Sequence, residues 1–162
     1  MDVERVKESI GKRYEGIVEK KAYGETTYFY NPNYKLKNGI YVCTIKENDG
    51  PNDKAGNLSR EGVYRISTGL TKAEYVKRFG STPRRPKKGE VVDLDINLDI
   101  KFDDLNVIMP HPIYSWMGWI CVNNPEQDCF DNFLKCIDLS YNRAIAKYKK
   151  RAINLGIVIG NL

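Results

Sequence analysis

The sequence predicts an α+β domain of two layers, in which a mostly antiparallel sheet of about five or six strands packs against an N-terminal and a C-terminal helix. Residues 2–14 and 125–150 repeat their apolar side chains at three- and four-residue steps, the period of an amphipathic helix. Between them lie short runs of β-branched and aromatic residues, which favour strands. The connections between the first runs are too short for a crossover helix, so we expect those strands to pair antiparallel.

The composition is that of an ordinary soluble globular protein and indicates a single domain over residues 1–162. Hydrophobic residues make up 41% and charged residues 29% of the chain, which is sufficient for a core that needs no disulfides. No apolar run reaches the length that spans a bilayer, and the N-terminus is charged from Asp2 onward. We therefore expect a cytoplasmic protein that is neither exported nor inserted into a membrane.

The chain begins with a helix and continues with three strands. Asp2 is a suitable N-cap for the helix, and a short strand is expected over 17–22. Every residue of 26–30 is β-branched or aromatic, which predicts a second strand. Asn38-Gly39 is typical of hairpin turns, so 40–45 should return antiparallel to the second strand.

The middle of the chain contains a long polar loop over 47–61, followed by a strand over 63–68. A loop of this length in a small domain is usually either functional or disordered. Thr71 followed three residues later by Glu74 is a capping box. It predicts a short helix after the strand.

The remaining segments differ in composition. Residues 81–90 are rich in proline, lysine and arginine and are expected to form a mobile basic connection. Apolar and polar residues alternate strictly over 92–102, which predicts a half-buried strand or two pieces of one, with a solvated acidic side. The last helix should end near Lys150. In the C-terminal tail, 152–162, the β-like residues either add an edge strand or are disordered.

The four cysteines and the single histidine show no metal-binding pattern. Cys43 and Cys121 lie in strand-like runs, and Cys129 and Cys136 share one face of the last helix. None of them forms a Cys-x-x-Cys pair. We expect reduced thiols, and neither a metal nor another cofactor.

Three segments of the sequence resemble those of a bacterial family of uncharacterised proteins, a domain of unknown function. They are Tyr28-Phe29-Tyr30-Asn31-Pro32, Asn57-Leu58-Ser59-Arg60-Glu61-Gly62-Val63-Tyr64-Arg65, and Pro110-His111-Pro112-Ile113-Tyr114 with Gly118-Trp119-Ile120-Cys121-Val122-Asn123-Asn124-Pro125. The resemblance extends from Glu8 to Tyr148, and its most specific element is the Pro-His-Pro-x-Tyr and Gly-Trp-x-x-Val pair.

The C-terminal third is also similar, more weakly, to the MmcQ/YjbR group. In that group a histidine precedes a tryptophan-bearing strand and a helix that ends in a Ser-Tyr pair, as His111, Trp119 and Ser140-Tyr141 do here. This similarity implies a two-layer α+β fold like that of CyaY, and a DNA-binding role. The sequence departs from the group around the histidine, where prolines, Ile113 and Tyr114 replace the usual basic residues.

The lone histidine stands in a proline-rich loop beside aromatic residues, and there we place the candidate site. Prolines on both sides of His111 restrict its backbone, which suits a preorganised functional group as well as a rigid structural turn. Tyr114 and Trp116 carry a polar tip on an apolar ring and are typical of pocket walls. Trp119 has strand-like neighbours and is expected in the core.

Arg60 and Arg65 complete the candidate site. A buried guanidinium needs an anionic partner. Two interpretations of Arg65 stay open, a clamp for a carboxylate or phosphate ligand or a salt bridge to Asp49, Asp53 or Glu61. The sequence thus predicts a binding module for a small polar or anionic ligand in a pocket near His111, lined by His111, Tyr114, Trp116, Arg60 and Arg65.

Two alternative functions also stay open. A nucleic-acid-binding protein would use two basic clusters, Arg84, Arg85, Lys87 and Lys88 in the connection, and Lys147, Lys149, Lys150 and Arg151 at the end of the last helix. A hydrolase or transferase would use His111 as its general base. The sequence offers such an enzyme no phosphate-binding loop and no nucleophile elbow. It predicts neither the ligand nor the oligomeric state.

Overall fold

The computed structural model describes residues 1–157, which form a six-stranded antiparallel sheet packed against helices, and this confirms the α+β class. The strands are β1 (Ile17–Ala22), β2 (Glu25–Tyr30), β3 (Ile40–Lys46), β4 (Arg65–Gly69), β5 (Met109–Pro110) and β6 (Trp119–Asn123). The helices are α1 (Val3–Arg13), α2 (Lys72–Phe79) and α3 (Gln127–Asn154). The strand order in the sheet is β1-β2-β3-β4-β6-β5.

The first two helices begin at the caps that the sequence predicts. The Asp2 carboxylate accepts a hydrogen bond from the backbone amide of Arg5 at 2.9 Å. In α2 the Thr71 hydroxyl accepts from the amide of Glu74 at 3.1 Å, and the Glu74 carboxylate accepts from the amide of Thr71 at 2.8 Å. These side chains satisfy amides that the first turn of a helix leaves without partners.

The hydrophobic core lies on one face of the sheet, beneath α1 and α3. Along β3 and β4, Val42, Ile45 and Ile66 point to this face and are fully buried against helix residues such as Phe133 and Ile137. Because side chains alternate along a strand, Thr44 and Lys46 in β3 and Arg65 and Ser67 in β4 point the other way. Loops rather than helices cover that second face, and the candidate site lies there.

The alternation over residues 92–102 does not form a strand, and this expectation is wrong. Within the segment, Ile96–Leu98 form a short 3₁₀ turn, and Asp99 follows in the left-handed region with a φ of 45°. The Asp95 carboxylate accepts from the amide of Asn97 at 2.9 Å, a local hydrogen bond that competes with strand pairing. Ile96 is 90% exposed, so at least one of the alternating apolar side chains does not pack against the core.

The C-terminal helix is longer than the sequence suggests. It continues to Asn154 and a turn follows at residues 155–156, so the first residues of the predicted tail belong to α3. The rest of the expected tail, residues 158–162, lies outside the described residues. Residues 81–90 contain neither helix nor strand, and their mobility stays a prediction. None of the helices within residues 1–157 combines the length and the apolar character of a membrane-spanning segment.

Candidate functional site

The loop-covered face of the sheet is organised in rows that run across the strands. The charged row consists of side chains placed opposite one another in the antiparallel register: Glu25, Lys46, Arg65 and Asn123. The next row on this face lies two residues away from the charged row on each strand. It is called the hydroxyl row and consists of Thr27, Thr44 and Ser67, with the thiol of Cys121 at its end. Beyond it lies the aromatic row, with the rings of Phe29, Tyr41 and Trp119. The face therefore changes from charged to aromatic within three rows.

Two cations lie side by side in the charged row, and each has its own carboxylate. Lys46 Nζ donates to Glu25 at 3.3 Å. Arg65 is 3% exposed and holds Asp53 through both terminal nitrogens, with Nη1 3.0 Å from Oδ1. Of the two interpretations of Arg65, the structure therefore has the salt bridge, with Asp53 as the partner. The guanidinium charge is neutralised inside the protein.

The loop that carries His111 holds the imidazole in one tautomer. Its Nδ1 accepts hydrogen bonds from the backbone amides of Ile113 and Tyr114, both at 3.1 Å. A nitrogen that accepts carries no proton, so the proton of the neutral ring lies on Nε2. Within the described part of the chain Nε2 has no hydrogen-bond partner, and it is not sealed from solvent. His111 therefore offers a donor to the cavity that it lines.

Burial keeps this imidazole neutral. His111 is 2% exposed. Desolvation, followed by the positive charges of Arg65 and Lys46, holds its pKa well below 6.5. A neutral ring whose Nδ1 lone pair is committed to two amides is not arranged to take a proton from a substrate. The geometry favours a role in binding over the role of a general base.

The aromatic row continues from the sheet into the His111 loop. Trp119 stacks on Tyr41 with ring centroids 4.7 Å apart. A Cβ added at Gly69 would lie 3.4 Å from Nε1 of Trp119, so glycine at this position leaves room for the ring. Tyr114 contacts the rings of Trp119 and His111 at centroid distances of 5.4 and 4.9 Å. Trp119 thus stands on the loop-covered face, and the expectation that it packs in the core is wrong.

Parts of these rows line an open cavity of about 620 Å³, with Lys46, Arg65, Thr44 and Ser67 on its floor and Trp119 in one wall. Residues 85–90 of the basic connection form its rim, where the guanidinium of Arg85 lies over the ring of Trp116, 4.9 Å from the centroid. Among the described residues, five cations and three carboxylates line the cavity, namely Lys46, Arg65, Arg85, Lys87 and Lys88 with Glu25, Asp53 and Glu90. Because Lys46 and Arg65 are paired on the floor, the surplus positive charge lies at the rim.

The structure brings together four of the five predicted ligand-binding residues, since the cavity is lined by His111, Tyr114, Trp116 and Arg65. Arg60 lies elsewhere. Its guanidinium donates to the backbone carbonyls of Asn57, Gly56 and Asp103, and so it joins the long polar loop to the segment before β5. Arg60 therefore has no place in the cavity.

The two basic clusters lie in different places. Arg85, Lys87 and Lys88 line the cavity, whereas the neighbouring Arg84 does not. The second cluster is exposed on the last turns of α3 and is not part of the cavity lining; it consists of Lys147, Lys149, Lys150 and Arg151. The structure thus brings three residues of the first basic cluster to the aromatic site, although the two lie in separate stretches of the sequence.

Sequence reasoning missed the floor of the cavity. Lys46, Thr44 and Ser67 all line it, and none of them was a candidate. A signal was present, because the alternation in β3 and β4 places these side chains on one face of each strand. Identifying them also required the register between the strands, which depends on the lengths of two connections.

The described side chains form neither a metal cluster nor an activated thiol. Within residues 1–157, no group of three or more His, Cys, Asp or Glu side chains is placed to hold a metal ion. The four cysteines are free, and burial raises the pKa of the Cys43 thiol and that of the Cys121 thiol to about 12. Neither thiol is arranged as a nucleophile.

Comparison with known proteins identifies a family but no activity. A family model described as a family of unknown function (DUF6194) matches residues 1–153. No curated protein matches the chain, and no solved structure matches it. The weaker similarity to the MmcQ/YjbR group stays a prediction, as does the bacterial origin.

Proposed function

The chain belongs to DUF6194, a family of unknown function, and from the chemistry of its cavity we propose that it is a binding module for a small anionic ligand held beside His111. One observation carries the proposal. The Nε2–H donor of His111 is fixed in a cavity whose rim has surplus positive charge. Donors and cations without matching acceptors favour a ligand that is rich in acceptors and negatively charged.

The floor supports the proposal by its rigidity rather than by free charge. The Arg65–Asp53 pair fixes the floor. Each carboxylate on the floor has a cation beside it, Arg65 for Asp53 and Lys46 for Glu25, so neither repels an anion as an unpaired carboxylate would. The Ser67 hydroxyl lines the cavity and makes no hydrogen bond within the described residues. The volume of about 620 Å³ lies within the range of roughly 300–1,000 Å³ typical of small-molecule sites.

The test uses the two tryptophans of the chain as reporters, because both line the cavity. The probes are inorganic phosphate, citrate, benzoate and phenyl phosphate. We expect at least one of them to change the tryptophan fluorescence saturably and to raise the Tm, as a ligand of the folded state does. If neither these four nor the nucleotides tested below bind at millimolar concentration, the proposal is wrong.

A matched pair of serine variants then locates the binding. Ser67→Ala removes a hydroxyl from the cavity floor and should weaken binding by about tenfold, or about 1.4 kcal/mol. Ser81→Ala removes an exposed hydroxyl outside the cavity lining and should leave affinity unchanged. Equal affinities of the two variants would mean that the probe binds elsewhere.

Nucleic-acid binding is the second candidate, and the exposed basic run Arg84, Arg85, Lys87 and Lys88 favours it. Phosphate contacts of this kind weaken steeply as salt rises. Fluorescence anisotropy with a labelled DNA duplex would measure it, at low salt and then at increasing salt. No binding at low salt excludes this candidate.

A further inference from the structure

The geometry points to a nucleoside phosphate as the ligand, with its phosphate at the cationic rim and its base against the aromatic wall. This inference rests on the proposed function, since it names the class of anion that the same cavity takes. Three independent parts of the cavity carry it: the charge of the rim, the rings of the wall and the hydrogen-bonding groups of the floor.

The rim supplies the phosphate site. Arg85, Lys87 and Lys88 line it within four consecutive positions of the chain, and none of the three forms an ion pair within the described residues. One carboxylate, Glu90, shares the rim. A phosphate monoester carries roughly −1.5 to −2 charges at pH 7 and three acceptor oxygens. An arginine fork and lysine point charges are the groups that recognise it.

The wall supplies a surface for a planar ring. Trp116 lies directly beneath Arg85, so an aromatic plane and a cation are fixed next to each other. Tyr114 also lines the cavity and is 42% exposed. Bases stack on such side chains regardless of their identity, because each base has a π-face. Inorganic phosphate alone would leave the exposed ring of Tyr114 without a contact, and an aromatic carboxylate would leave most of the rim charge unmatched.

The floor supplies hydrogen bonds to the edge of the base or to the ribose. His111 Nε2 donates only, so it selects an acceptor such as a carbonyl oxygen or a ring nitrogen. The Ser67 hydroxyl both donates and accepts, which suits a sugar hydroxyl. The cavity of about 620 Å³ has room for one nucleotide, so it suits a mononucleotide rather than a duplex.

The experiment compares fragments of one ligand on the intact chain. Tryptophan fluorescence and calorimetry would measure the affinities of AMP, UMP, adenosine, ribose 5-phosphate and inorganic phosphate. We expect at least one of the two nucleotides to bind at least tenfold more tightly than adenosine and than ribose 5-phosphate, because it uses rim and wall together. Trp116→Ala should lower the affinity for the nucleotide more than the affinity for ribose 5-phosphate, because it removes a ring of the wall as well as the ring beneath Arg85.

Two neighbouring arginines give a matched control for the rim. Arg85→Lys keeps the positive charge but not the planar fork over Trp116, and Arg85→Ala removes both. We expect the alanine variant to weaken nucleotide binding at least tenfold and the lysine variant to weaken it less. Arg84→Ala, outside the cavity lining, should bind as the unmodified chain does. The Tm of each variant shows that it is folded.

The outcomes separate this inference from the proposed function. If AMP and UMP bind no better than inorganic phosphate, or if citrate or benzoate binds and they do not, the nucleotide inference is wrong and the anion site stands. If a single-stranded oligonucleotide binds and neither nucleotide does, the inference is wrong in favour of a nucleic-acid surface. If no anion binds, both proposals are wrong.

Discussion

Replacing Asp53 by asparagine should destabilise the fold far more than the loss of a surface carboxylate. Asp53 holds Arg65 through both terminal nitrogens, and Arg65 is 3% exposed. Asparagine has nearly the same shape but no charge, so the substitution leaves a buried guanidinium without a counter-charge. Lys46 lies opposite Arg65 in the register and adds repulsion, and Nε of Arg65 already lacks a partner within the described residues.

The size of the effect follows from burial. Removing one partner of a buried ion pair destabilises a protein by about 3–5 kcal/mol. The Asp53 side chain retains 15% of its exposure, so water reaches the carboxylate side of the pair and we expect the lower end, about 3 kcal/mol. For a domain of this size, the Tm should fall by roughly 6–12 °C.

Urea unfolding followed by circular dichroism would measure the free energy of unfolding of Asp53→Asn, Arg65→Met and the double variant. The double variant should recover part of the free energy of unfolding that Asp53→Asn loses, because a neutral pair needs no counter-charge. The control is Glu8→Gln, which breaks an exposed pair with Lys12 and should leave the unfolding midpoint unchanged. An Asp53→Asn effect as small as that of the control would refute the reasoning.

The remaining predictions concern the histidine and two glycines. Burial holds the pKa of His111 well below 6.5, so below pH 6.5 the unfolded chain takes up a proton that the folded chain refuses. The free energy of unfolding should therefore fall from pH 7 toward pH 5, and His111→Gln should lack this slope; a slope that persists in urea titrations of the variant contradicts the assignment. Gly118→Ala should destabilise by about 2 kcal/mol, because φ is 92° and the new Cβ would lie 2.6 Å from the carbonyl oxygen of Leu70. Gly11→Ala in α1, where nothing lies within 4 Å, should stabilise by about 0.5–1 kcal/mol in the same assay; effects of the same sign would count against the steric argument.

The helices and most strands could be predicted because their signals are local. The capping box of Thr71 and Glu74 needs only a three-residue spacing, and the structure contains both of its hydrogen bonds. The alternation over residues 92–102 shows the limit of such signals. A strand also needs a neighbour with a free edge, and that is a property of the assembled sheet rather than of the segment.

Some residues of the candidate site could be predicted from local signals, and others depend on the assembled fold. His111 and Trp116 could be singled out because the only histidine and both tryptophans occur in one proline-rich stretch. Asp53 and Lys46 could not be placed in the cavity, since their positions depend on the fold of a long loop and on the register of β3 with β4. The sequence predicts a core position for Trp119 because apolar neighbours indicate a half-buried strand without indicating which face each residue takes.

From the order of the strands we expect the cavity to form late as the chain folds. The strands β1 to β4 follow one another in sequence and pair as neighbours, so their contacts form over short or moderate separations. The strand β6 pairs with β4 across the whole of residues 70–118, and non-local pairing of this kind slows folding. The cavity spans the junction of β4 and β6, with Ser67 on β4 and Trp119 on β6. The site is incomplete until these two strands pair, so we expect a ligand to bind only the completed fold and to shift the folding equilibrium toward it.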